Sequence, residues 1–249
     1  GHKSIDDGDT RVDYNTLNQI MSISGIGKAE DLEKYWSPEL SEKTERLEIK
    51  SVNKSHTNPE VEDYPYPEQV VISGKFVYHQ QGRRGFSPTV NGTYEYRSAS
   101  GLFLLQIQQN NMNADKVFDE INSAISETAQ VRQIKAINRR SLWNFFDEAD
   151  EVVDAKIRGK EGEKSLRSEI RTTEDSTENA NEIGTHEFSQ NLEKFLLVSA
   201  KAKFIAPHSG TPFIVKYRKG RFEIPSEPED GAEYVIQLLE RDIISNNDN

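Results

Sequence analysis

The sequence predicts an α+β chain: a small helical N-terminal segment, then strand-strand-helix units arranged around a long helix. Three observations carry this expectation. Val70–Tyr78 is a β-branched and aromatic run bounded by turn residues, the composition of a half-buried strand. Leu102 to Arg158 contains neither Gly nor Pro, and Val117, Ile121, Ala124, Thr128, Val131 and Ile134 recur at three-to-four spacing, the stripe a helix buries on one side. Strand, strand and helix signals occur in the same order twice, over Val70–Ile125 and Phe204–Ile244, the pattern of a degenerate duplication.

Each element follows from local chemistry. Residues 1–12 are polar and acidic, read as a disordered tail rather than a secretory leader. Residues 13–52 read as a helical hairpin segment: Tyr14–Ile23 and Lys28–Trp36 form short helices broken at Gly25-Ile26-Gly27, where glycine supplies the positive φ of a tight turn, and Ser37-Pro38 stops the second. In Glu42–Val52, Leu47 and Ile49 alternate with charges, which suits a strand or a further helix. Residues 53–68, with Pro59, Pro65 and Pro67, read as an extended linker.

Residues 69–158 form the expected α+β core. It holds the strand Val70–Tyr78, a Gly/Pro-rich loop Gly82–Gly92, and a second strand Thr93–Gln108 interrupted near Gly101. The long helix is capped by Asn113 and continues to about Ile157, with a break near Arg140–Ser141 as an alternative. Residues 159–187 hold only Leu166, Ile170, Ala180 and Ile183 as apolar side chains and read as a mobile linker. Residues 188–249 read as a C-terminal hairpin-plus-helix part packing with 69–158. Phe188–Phe204 leads into strands Phe213–Tyr217 and Arg221–Ile224, which turn at Arg218-Lys219-Gly220, and a last helix, Gly231–Ile244, buries Ala232, Val235, Ile236, Leu239 and Ile243.

Charge is segregated. The chain carries a formal net charge of −11, yet Gln69–Asn113, Thr128–Phe146 and Lys194–Phe222 together hold 15 basic residues and 1 acidic one. A surface divided in this way predicts an anionic partner on one face, with phosphate backbone the foremost candidate. No stretch approaches the ~18 apolar residues of a membrane span. With no cysteine there is neither a disulfide nor a thiolate metal site, and a reducing, cytoplasmic setting is expected.

Leu17 to Lys28, with its Gly25-Ile26-Gly27 turn, resembles the helix-hairpin-helix of DNA-binding proteins. That resemblance implies a phosphate seat of turn amides and helix dipole, with Lys28 adding charge; Asp31 departs from it, standing where the family has a small apolar residue. The remaining candidate nucleic-acid contacts are Arg83, Arg84 and Phe86 in the glycine-rich loop, Arg132, Lys135 and Arg139 on one side of the long helix, Lys201 and Lys203, and the hairpin row Lys216, Arg218, Lys219 and Arg221. Arginine binds phosphate through two parallel N–H donors, and Phe86 offers a base-stacking surface.

Catalytic signals are sparse. The five histidines have no metal-ligand spacing, and no phosphate-binding glycine loop or Gly-x-Ser-x-Gly occurs. Asp147, Asp150 and Asp154 would share a helix face able to hold a divalent cation, and Glu48-Ile49-Lys50 resembles the Glu-x-Lys element of metal-dependent nucleases. The expected function is non-enzymatic nucleic-acid binding without a cofactor. A protein-interaction module is the alternative, and a nuclease a distant third.

Overall fold

Alternation of buried and exposed side chains, the period of a strand, is clear in Thr89–Arg97, Glu151–Gly159, Leu196–Ile205, Pro212–Arg218 and Arg221–Pro225. The computed structural model describes residues 20–80, 88–107, 113–159, 162–165 and 196–245. The chain divides into two units, one of residues 22–137 with the C-terminal end from Ile244, the other of 138–243 with the N-terminal residues up to Met21.

In the unit of 22–137 the strands are β2 (Gly25–Lys28), β3 (Leu47–Ile49), β4 (Asn53–His56), β5 (Val70–His79), β6 (Thr89–Arg97), β7 (Leu102–Ile107) and β8 (Arg132–Gln133). Helix α1 (Ala114–Ser123) follows β7. The sheet order is β3-β5-β6-β7-β2-β8, all antiparallel, with β4 beside the other end of β5. Its core is aromatic: the Trp36 ring lies 4.8 Å from Tyr94 and 5.5 Å from Phe103, and Phe103 lies 5.9 Å from Phe118 of α1.

In the unit of 138–243, α2 (Arg139–Asp147) precedes β9 (Glu151–Gly159), β10 (Gly162–Ser165), β11 (Leu196–Ile205), β12 (Pro212–Arg218) and β13 (Arg221–Pro225). Helix α3 (Glu229–Leu239) closes it, widening into a π-helical turn at Glu240–Ile244. The sheet order is β1-β13-β12-β11-β9-β10, where β1 is Ile20–Ile23. Both helices cover one face of this sheet. Phe145 of α2 lies 5.4 Å from Phe204 and 5.3 Å from Phe222, while Tyr234 of α3 lies 6.5 Å from Phe204.

These sheets overturn the expected helix-centred α+β arrangement: among the described residues the protein is mostly β, two antiparallel sheets with few short helices. The predicted long helix is α1, a 3-10 turn, β8, α2 and β9 in succession. Freedom from Gly and Pro permits a helix without requiring one, and from Val152 onward Ala155 and Ile157 alternate with Asp154, Lys156 and Arg158 in strand period. Asn122 ends α1's influence by clamping the next segment: its side chain accepts from Val131 N–H at 2.8 Å and donates to Val131 C=O at 2.9 Å, as a strand neighbour would.

The helix-hairpin-helix expectation also falls, because Gly25-Ile26-Gly27 lies in β2 rather than in a helical turn. Its glycines let a helix approach. A Cβ on Gly25 would lie 2.8 Å from Ala114 and from the Phe118 ring, and one on Gly27 2.5 Å from Val131. The expected helix Lys28–Trp36 is β2's last residue followed by a 3-10 turn at Leu32–Lys34. Both sheets nonetheless share one plan. A three-stranded meander leads into a helix, β5-β6-β7-α1 and β11-β12-β13-α3, and an N-terminal strand, β2 or β1, lies beside the meander's third strand.

Candidate nucleic-acid interface

The face of the six-stranded sheet that the helices leave bare is set by strand alternation. On β11, β12 and β13 the side chains of Ala200, Ala202, Phe204, Val215, Tyr217, Phe222 and Ile224 point into the core, which sends Lys201, Lys203, Lys216, Arg218 and Arg221 outward. The strand register then sorts them into rows. Ser165, Lys156, Ser199, Arg218 and Arg221 lie side by side across β10, β9, β11, β12 and β13. At ~4.8 Å per strand this first row is about 19 Å long. It holds three cations, two hydroxyls and no carboxylate.

The second row, about 6.8 Å along the strands, is Asp154, Lys201, Lys216 and Glu223, in which each lysine has a carboxylate beside it. The third begins Glu151, Lys203, Ile214. Lys203 is fully committed there, its Nζ 3.1 Å from both Asp150 and Glu151, and these two carboxylates, Asp150 first, hold its ammonium above the ordinary lysine value. From the first row to the third the face therefore passes from basic to acidic.

Above the first row, Arg158 pairs with Glu163 at 2.7 Å, and this bond, with the charges of Lys219 and Lys156 beyond it, keeps the Glu163 carboxyl below the usual range. The β12–β13 turn is Lys219-Gly220, with φ of 47° and 85°. Two consecutive positive φ values give the hairpin its tight twist, and the first normally falls to Asn, Asp or Gly. Lysine in that place costs backbone strain and sets a cation at the tip. Lys156, Lys201, Lys216, Arg218, Lys219 and Arg221 make no ion pair with another described residue, Lys156 and Lys219 acting on Glu163 from a longer distance.

The sequence candidates therefore divide. Lys201, Lys203, Lys216, Arg218 and Arg221 share this face, with Lys219 at its edge. Arg139 does not: it begins α2, which covers the opposite face of the sheet. Lys28 and Arg132 are cross-strand partners on β2 and β8 in the other unit, where Lys135 lies 3.3 Å from Asp115. Arg132 and Lys135 sit on and just after a strand rather than on a helix. Arg83, Arg84 and Phe86 lie outside the described residues.

Sequence reasoning missed Lys156, Arg158 and Ser199. The alternation Asp154-Ala155-Lys156-Ile157-Arg158 was the signal, hidden by assigning those residues to a helix. Asp147, Asp150 and Asp154 do not share a helix face, since Asp147 ends α2 and Asp154 lies in β9. Among the described residues no cluster of three His, Asp or Glu could hold a metal. Glu48 is engaged by Lys50 at 2.8 Å and His79 at 3.6 Å, so the Glu-x-Lys pair neutralises itself. No described helix is long and apolar enough to cross a membrane. In comparisons with protein-family models, curated proteins and solved structures, nothing matches this chain.

Proposed function

We propose that the protein is a non-enzymatic nucleic-acid-binding protein or subunit that holds a phosphate backbone against the bare face of its six-stranded sheet, in a cytoplasmic setting. The observation supporting this reading is the first row, Ser165, Lys156, Ser199, Arg218 and Arg221, in which donors stand in register with no acid among them and Arg218 directly opposes Arg221. Like charges directly opposed across strands destabilise a sheet. A fold that keeps such a pair, beside a lysine in a turn position that disfavours it, gives up stability in the manner of a binding site. No outward residue of β9 to β13 is aromatic, so bases find no stacking platform there, and contact with phosphate conveys no sequence information.

The test is fluorescence anisotropy of a labelled oligonucleotide of ~20 nucleotides, titrated with the full chain from about 50 mM salt upward. Replacing Lys156, Arg218 and Arg221 together with alanine should abolish measurable binding, and each single replacement should flatten the log–log salt slope by ~0.7 on a single strand or ~0.9 on a duplex. These side chains are exposed, so the fold survives their loss. Unchanged affinity and slope in the triple variant would overturn the reading. Absence of binding by the parent chain at low salt would do so as well, and would leave an acidic protein surface as the row's counterpart.

A further inference from the structure

The spacing of the rows bears on which form of nucleic acid the face accepts, an inference that rests on the proposed function above. A duplex laid with one backbone on the first row presents its second backbone across a groove whose open width is about 6 Å for the minor groove and about 12 Å for the major, the two backbones themselves lying farther apart by the thickness of the phosphates. Successive rows on this sheet are about 6.8 Å and 13.6 Å from the first. The second backbone would therefore lie beyond the row of Asp154, Lys201, Lys216 and Glu223, in which the two carboxylates cancel the two lysines, toward the row where Glu151 and Asp150 already claim Lys203. Neither row offers it a net positive charge, the second through Asp154 and Glu223 and the third through Asp150 and Glu151. A single strand running across the sheet along the first row lies over Ser165, Lys156, Ser199, Arg218 and Arg221, a row without a carboxylate.

We propose that this face selects single-stranded nucleic acid over duplex, with Asp154 and Glu223 as the residues that reject the second backbone. Their role is repulsive, and specificity arises as readily from a clash with the wrong partner as from a contact with the right one. Both side chains lie toward solvent on the same face as the cations, next to Lys201 and Lys216. They leave the first row untouched.

The experiment uses the full chain with a labelled 12-nucleotide strand of mixed sequence and with the 12-base-pair duplex made from it, at about 50 mM salt. The single strand should bind at least about fivefold more tightly, a phosphate–carboxylate repulsion across ~4 Å of water being of that size. In Asp154→Asn/Glu223→Gln the duplex should gain more than the strand and the gap should close, with circular dichroism confirming an unchanged fold. A parent chain that binds duplex as tightly as the strand, or more so, overturns the selection while leaving phosphate binding intact. A preference that persists undiminished in the double variant overturns the assignment to Asp154 and Glu223. Failure to bind either probe overturns the proposed function itself, and the selection with it.

Discussion

Gly74→Ala tests the account of the 22–137 unit at its tightest point. Between β3 and β4 the edge folds inward: Lys50 N–H bonds Lys75 C=O at 2.8 Å, Ser51 Oγ accepts from Lys75 N–H at 2.9 Å, and Tyr94 donates its hydroxyl to Ser51 C=O at 2.6 Å. Tyr94 is the register partner of Gly74, so the Ser51 carbonyl crosses directly above the glycine. A Cβ there would overlap the Ser51 oxygen and lie 2.7 Å from both the Ser51 carbonyl carbon and Tyr94 Oη. The carbonyl must withdraw, stranding a buried hydroxyl at about 1–3 kcal/mol, and strain in the close-packed neighbourhood adds about 1–3 kcal/mol. The expected loss is about 2–6 kcal/mol.

Tyr94→Phe alone, which removes only the bond, should cost about 1–1.5 kcal/mol. Because Gly74→Ala has already broken that bond, the double variant should be less destabilised than the sum by about 1 kcal/mol or more. Urea unfolding followed through Trp36, 4.8 Å from Tyr94, measures all three, with Trp143→Phe as background so that one indole reports. A Gly74→Ala loss under about 1 kcal/mol, or full additivity, would refute the reasoning.

Three further outcomes follow from the same structure. Asn122→Ala removes both bonds to Val131 and should cost about 1–3 kcal/mol in denaturant unfolding, with fast amide exchange at Val131 as its local signature. Asp230 is held below the ordinary carboxylate range chiefly by the Ser209 backbone N–H, helped by that of His208. Its stabilisation is therefore present above the unfolded value, near pH 4, and lost as pH falls through the lower folded value, so the Tm deficit of Asp230→Asn should shrink on acidification. Burial holds the Tyr96 hydroxyl well above the ordinary tyrosine value. Stability from its neutral form is complete below about pH 10 and lost as pH rises through the folded value, so tyrosinate absorbance from this ring should emerge only with alkaline unfolding, whereas ionisation at pH ~10 in the native chain contradicts that burial.

What the sequence disclosed depended on how local each signal was. The strand from Val70, the interruption at Gly101, the Asn113 cap and the 213–224 hairpin were all legible, because turn chemistry and capping act within a few residues. Asn113 does accept from Asp115 N–H. The N-terminal reading failed where a tertiary contact decided: Gly25 and Gly27 serve the side chains of Phe118 and Val131, about a hundred residues away, and nothing near them announces it. At the candidate interface the basic residues of β11 to β13 were visible as a cluster. Their arrangement into a carboxylate-free row beside carboxylate-bearing ones was not, since it arises from the pairing of β9 with β11 across the long connection that separates them in sequence.

Only Ser24 separates β1 from β2, so one short extended stretch, Ile20–Lys28, supplies a strand to each sheet. The two halves of that stretch wait for different stretches of chain. β7, the partner of β2, is synthesised about 75 residues later; β13, the neighbour of β1, about 200 residues later. At ~5–20 residues per second, the ribosome delivers β13 roughly 10–40 s after β1. Through that interval β1 is a strand without its sheet, tethered to a sheet that can already close. Any truncation before Arg221 leaves Ile20-Met-Ser-Ile23 permanently unpaired, so shortened products of this gene should be sticky at their first strand, however well the 22–137 unit has folded.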